Sequence, residues 1–205
     1  MKKFLALVVS FFMIFSLSAS EEAAVKKVLD DFFSCIAEFN GTGVIKLLHP
    51  EFVDEDDEGK ADFEEMKEYC GQLDMMGRVF KKATAPDATL LDVVMGIFSL
   101  QEEKLTDDEI AAVKALENTP EGKKLKAEYV SALQEMKKMS IEETMAEAKT
   151  VKIDSIKIDG NSARMVFTVT VDGVLEYNVW DLVKVDGKWL LKKTRSSKSA
   201  AIIDR

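Results

Sequence analysis

From residue 21 the chain repeats its apolar positions at a helical spacing. Val25, Val28, Leu29, Phe32, Phe33, Ile36 and Phe39 recur at intervals that keep them on one stripe, which predicts a helix over 21–39. Asn40-Gly41 supplies residues that readily take the left-handed conformation closing a helix. A short helix over 43–48 follows, stopped by Pro50. Asp62-Phe63-Glu64-Glu65 has the form of a capping box, with Phe63, Met66, Cys70 and Leu73 along one side of the helix it opens. Gly71 and Gly77 weaken that helix, and Pro86 marks a break. The next helix spans 87–104 around Leu91, Val94, Met95 and Phe98. Thr106 to Glu109 caps another, carrying Ile110, Val113 and Leu116. Thr119-Pro120 places an N-cap and an N1 proline ahead of Leu125, Tyr129, Leu133 and Met136. Ser140-Ile141-Glu142-Glu143 caps one last short helix.

At about residue 149 the period changes to two. Strands are predicted over 151–158, 163–171, 174–185 and 188–194. Asp159-Gly160-Asn161, Asp172-Gly173 and Asp186-Gly187 separate them as hairpin turns. The fold class read from the pattern is α+β, with N-terminal helices packed on a four-strand antiparallel meander.

The first 20 residues stand apart. Lys2 and Lys3 precede an apolar run over 4–17 broken only by Ser10 and Ser16, and Ser18-Ala19-Ser20 offers a cleavage site. A run of 14 residues is too short for a bilayer, which needs about 20. Residues 1–20 therefore read as a cleaved secretory signal. The expected location is periplasmic or extracellular, with no stable membrane anchor after cleavage.

Charge and cysteines narrow the classes. Without Lys2 and Lys3 the chain keeps 26 basic against 37 acidic residues, a charge of −11. Such a surface repels nucleic acid and anionic lipid. The late basic residues Lys192, Lys193, Arg195, Lys198 and Arg205 read as a thin solvated tail. Cys35 and Cys70 admit two readings. In an oxidising compartment they suggest a disulfide closing about 36 residues and contributing roughly 3–4 kcal/mol. Both also fall on helical apolar faces, where free thiols pack as small hydrophobes. Their spacing fits no metal motif.

The ending Tyr177-Asn178-Val179-Trp180-Asp181-Leu182-Val183-Lys184-Val185-Asp186-Gly187-Lys188-Trp189-Leu190-Leu191 resembles the last hairpin of the nuclear-transport-factor-2-like superfamily. The pattern from Ile156, through Gly160-Asn161 to Phe167, is also similar. Leu47-Leu48-His49-Pro50-Glu51-Phe52 with the first helix resembles the opening of those domains. The resemblance implies a cone of helices over a curved sheet, built from 21–60 and 149–195, with a tail over 196–205. Residues 61–148 depart from the family as a helical insertion. Within it, Leu105 to Glu109 and Asn118 to Leu125 resemble an uncharacterised bacterial family of exported helical proteins.

The resemblance also implies a pocket between the first helix and the concave sheet. Asp30, Asp31 and Tyr177 are the candidate ligand-binding residues there, beside the alternative that they are solvated flank or sheet core. No catalytic set is assigned. The one histidine, His49, precedes a proline and reads as structural. One local pattern points to a cation. Asp54, Asp56, Glu58, Asp62 and Glu65, with Gly59 at the turning position, match the oxygen spacing of a calcium loop. Its alternative is a solvated acidic loop in which Asp62 caps a helix. No other cofactor is expected. The function read from the sequence is an exported, non-catalytic module binding a small ligand or a protein partner, as monomer or homodimer. Two alternatives stand beside it: a cofactor-free lyase or isomerase in the cone, and a calcium-stabilised structural protein.

Overall fold

The computed structural model describes residues 2–57, 59–101 and 103–203, with side chains from residue 19 onward. Helix α1 (Lys2–Ala37) runs unbroken through the predicted first helix. Among the described residues no helix is long and apolar enough to cross a membrane. The left-handed residue that ends the α1 segment is Phe39, with φ 55°, rather than Asn40 or Gly41. Burial and an edge-on contact with Phe80 at 5.0 Å hold this conformation. Asn40 instead caps α2 (Gly41–Ile45), its side chain accepting from the Gly43 N–H at 2.8 Å. Gly41 is required by contact. A Cβ there would lie 1.8 Å from the Cys70 carbonyl oxygen, on the helix that follows.

Strands β1 (Leu48–Glu55) and β2 (Lys60–Asp62) form a hairpin that the sequence pattern does not announce. Pro50 sits where the β1–β6 register shifts, between Leu48 and Val53, so its missing N–H breaks no regular ladder bond. Helices α3 (Phe63–Ala83), α4 (Leu90–Leu100), α5 (Asp107–Leu116) and α6 (Pro120–Thr150) follow. Asp62, Thr106 and Thr119 cap their helices as expected, and Thr89 with Asp92 adds a further capping box. The short helix expected from Ser140 is a continuation of α6, because neither Gly nor Pro interrupts the chain there.

The meander is β3 (Lys152–Asp159), β4 (Ser162–Val171), β5 (Val174–Val185) and β6 (Lys188–Ser197). Asp172-Gly173 and Asp186-Gly187 both take positive φ, the signature of the tight hairpin turn. The expected sheet is incomplete, however. The order is β2-β1-β6-β5-β4-β3, six strands with β1 parallel to β6. The expected solvated tail is also corrected. β6 runs to Ser197 and a 3-10 turn (Ala200–Ile202) packs back on β5 and β6. Arg195 is buried and pairs with Asp181, while Arg205 lies outside the described residues.

Among the described residues, two apolar cores result. One lies between α1 and the inner sheet face, with Val25, Leu29, Met165, Phe167, Trp180 and Leu191 at its centre. The other lies under the helices, around Phe39, Cys70, Phe80, Val93 and Leu133. Phe32, Ile45 and Met66 border both. Glu21 ties α1 to the sheet, accepting from Lys184 Nζ at 2.5 Å and Trp189 Nε1 at 2.8 Å.

Candidate functional site

The interior of the cone is filled. Alternation along β5 turns Trp180 and Leu182 toward α1. The Trp180 ring meets Phe32 and Phe167 edge-on, each at 5.3 Å between centroids. Phe33 stands against Phe32 at 6.3 Å.

The predicted pocket residues do not line this space. Asp30 is exposed, and Asp31 pairs with Lys27 at 2.6 Å along the surface of α1. Tyr177 alternates with Trp180, so it belongs to the outer sheet face, opposite Thr168 and Ser197. His49 Nδ1 accepts from the Glu51 N–H at 3.1 Å, a local structural bond.

The acidic segment is a β-hairpin, not the loop between two helices that a calcium site of this type requires. Asp54 accepts from the Thr194 hydroxyl, and Asp56 accepts from the Gly59 N–H at 2.7 Å. Asp62 caps α3, and Glu65 closes that capping box. Glu58 lies outside the described residues. Among the described residues no three His, Cys, Asp or Glu side chains are grouped to hold a metal ion. Of the two readings of Cys35 and Cys70, the bridge is not formed and the packing of free thiols on apolar helix faces is what the structure shows. Both are free thiols in the core under the helices. Burial pushes the Cys70 thiol up to about 11 and raises that of Cys35.

Two sites emerge that the sequence reading does not single out. The first is a polar row at one end of the inner sheet face. Register places Asp54 beside Thr194, Thr194 beside Trp180, and Asn178 beside Ser196. Burial pushes the Asp54 carboxyl above the ordinary aspartate range; the Thr194 hydrogen bond and the Glu55 backbone N–H oppose this, and the charge of Asp56 adds to it. Asn178 Nδ2 is buried without a partner. The available signal was the period of two, which puts Asn178 and Trp180 on one face.

The second is a groove of about 350 Å³ between α4, α5 and α6. Val94, Ile97, Phe98, Val113 and Leu125 line it, with Tyr129 at one side. Its volume lies within the usual span of small-molecule sites, about 300–1,000 Å³. Glu109, its one acidic neighbour, is held by the Thr106 N–H and hydroxyl, both at 2.8 Å.

No family profile matches the chain, and no curated protein matches it in sequence. Solved structures do resemble it. An NTF-2-like protein of unknown function from Silicibacter pomeroyi is 6% identical, with a TM-score of 0.44, over 87% of this chain and 96% of that one. An NTF2-like protein of unknown function from Shewanella baltica is 13% identical, with a TM-score of 0.40, over 87% and 93%. A domain of unknown function with a cystatin-like fold from Nostoc punctiforme is 8% identical, with a TM-score of 0.44, over 90% and 81%.

Proposed function

We propose that this chain is an exported, non-catalytic binding module whose ligand site is the groove of the helical insertion rather than the cone. The observation that carries the reading is the contrast between the two spaces. Aromatic rings occupy the cone, whereas the groove keeps about 350 Å³ lined almost wholly by apolar side chains. A small apolar or amphipathic molecule suits it, its apolar part against Phe98 and Leu125 and its polar end toward the Tyr129 hydroxyl. The charged n-region and apolar run over 4–17 support export.

The test is fluorescence titration with N-phenyl-1-naphthylamine, a neutral apolar probe. Saturable enhancement at one site is expected in the unaltered protein. Ala112→Trp places a ring in the groove from an exposed position, and abolishes it. Unsaturable enhancement, or enhancement unchanged in a folded Ala112→Trp protein, overturns the reading.

The polar row favours a second reading, a cofactor-free lyase or isomerase with Asp54 as its acid or base. A buried carboxyl of raised pKa beside an unpaired amide is the observation behind it. Titration of Asp54 by carboxyl-detected NMR tests it; an ordinary aspartate value removes its basis.

A further inference from the structure

Helix α6 carries two apolar stripes. Val130, Leu133 and Ile141 belong to the core under the helices. A second stripe runs through Leu125, Tyr129, Ala132, Met136 and Met139, at alternating spacings of four and three that keep one helical line. Its first two members line the groove shared with α4 and α5. Its last three leave the groove and line an open depression of about 410 Å³ further along the same helix. Met136 is 46% and Met139 62% exposed there. Lysine and glutamate form helices about as well as methionine, so helix formation does not call for apolar side chains at these positions. Single exposed apolar residues are ordinary, whereas an aligned row of them is an interaction surface. Methionine is also the side chain that adapts most readily to a partner's apolar face.

The rim of this stripe is acidic. Glu121, Glu128, Glu135 and Glu142 recur every seven residues, which holds them on one line beside the methionines. Glu143 borders the depression as well. Glu128 and Glu142 have only loosely held lysines, Lys124 at 3.8 Å and Lys138 at 3.7 Å. Among the described residues Glu135 and Glu143 have no ion-pair partner, and both are exposed.

The pattern selects an occupant. A second copy laid on the stripe by two-fold symmetry would bring Glu135 and Glu143 against acidic counterparts. An anionic bilayer would meet the same repulsion. An amphipathic helix with lysine or arginine beside its apolar face sets that face on the methionines and its cations on the glutamates. From Tyr129 to Glu143 the stripe rises about 21 Å, the length of a helix of about 14 residues.

We propose that this face of α6 docks a basic amphipathic helix of another protein. The depression and the groove share no lining residue, so either assignment stands without the other.

The experiment is fluorescence anisotropy of the full chain with a labelled peptide of about 14 residues, leucines on one helical face and lysines on the other. One control replaces each lysine by glutamate, and a second shuffles the same composition so that no apolar face forms. Saturable binding of the lysine peptide is expected, about tenfold or more tighter than either control and weaker as salt is raised. Met139→Ser removes an apolar contact and lowers affinity several-fold. Glu135→Gln combined with Glu143→Gln lowers it several-fold and flattens the salt dependence. All three positions are exposed, so the fold tolerates these changes. Absence of saturable binding overturns the proposal, as does equal binding of either control. Full affinity in both variants overturns it too, because the peptide then sits elsewhere. A dimer of the unaltered chain that Met139→Ser dissolves, seen by analytical ultracentrifugation, overturns it in favour of a second copy.

Discussion

Replacing Phe32 by alanine tests whether the cone is closed by its own side chains. Phe32 contacts Trp180 and Phe33 edge-on and borders both cores, so no other ring takes its place when it is removed. Burying and then deleting a phenylalanine costs about 3–5 kcal/mol, and each edge-on ring contact contributes about 0.5–1.5 of that kind of energy. Phe32 is only half-buried, which places the expected loss at about 3 kcal/mol. The assay is urea unfolding followed by Trp180 and Trp189 fluorescence. The deletion also leaves an apolar void against Trp180 and Phe167, the kind of space that takes up benzene. With a dissociation constant of about 1 mM, 10 mM benzene returns about 1.4 kcal/mol to the variant. The unaltered protein gains nothing. Equal stabilisation of both proteins refutes the argument, because it means the cone already holds an open apolar cavity. A loss below about 1 kcal/mol refutes it too, because the ring is then not packed.

Other residues give independent checks. Asp54→Asn keeps the acceptor for Thr194 and removes a carboxyl whose folded pKa is raised by burial. Stability from such a group is present below its unfolded pKa and lost as pH rises through the folded one. The variant therefore gains on the parent from pH 4 to pH 7 in thermal melts; parallel curves refute this. Asp92 is held down at about 2, chiefly by the Thr89 N–H and then by Lys82. Its contribution is present above the ordinary aspartate pKa and lost as pH falls toward about 2. Asp92→Asn thus costs about 1 kcal/mol at pH 7, after solvent screening of a side chain 25% exposed, and little at pH 2. Gly41→Ala drives a methyl into the Cys70 carbonyl and costs about 2 kcal/mol in urea unfolding; neutrality contradicts the close α2–α3 approach. Cys70, buried with its thiol raised to about 11, resists iodoacetamide at pH 8 until denaturant is added. Mass spectrometry showing rapid native labelling refutes that burial.

Where one residue type dictates one local geometry, the sequence is a faithful guide. Asp172-Gly173 and Asp186-Gly187 turn the chain where both central residues take positive φ, and Thr106 and Thr119 cap the helices they precede. Long-range pairing is another matter. Pro50 reads as a stop for a helix, yet a proline placed at a register shift is compatible with a strand, and only β6, some 140 residues later, shows which applies. The same gap hides the role of Asp54. Local spacing offers it to a cation, while the sheet sets it beside Thr194. Asp30 and Asp31 fail for the converse reason. A helical stripe identifies the buried face, but a position flanking that stripe is carried outward by the helix's own rotation.

The β1–β2 hairpin connects the two sheet-borne sites, since it contributes to both. Asp54 lies on its inner face, beside the filled aromatic interior, and hydrogen-bonds to a residue of β6. A few residues on, the turn holding Asp56 and Asp57 borders a cavity at the rim of the sheet, on the face that carries Arg195. Alternation alone separates them, because neighbouring strand positions face opposite sides of one sheet. A substitution confined to the turn therefore perturbs the Arg195 cavity while leaving Asp54 in place, and Asp54→Asn does the reverse. The groove between α4, α5 and α6 shares no lining residue with either. Binding at the groove and titration of Asp54 should accordingly respond to separate substitutions. Loss of both in Ala112→Trp would show that the insertion and the sheet unfold together, and would return the function to the fold as a whole.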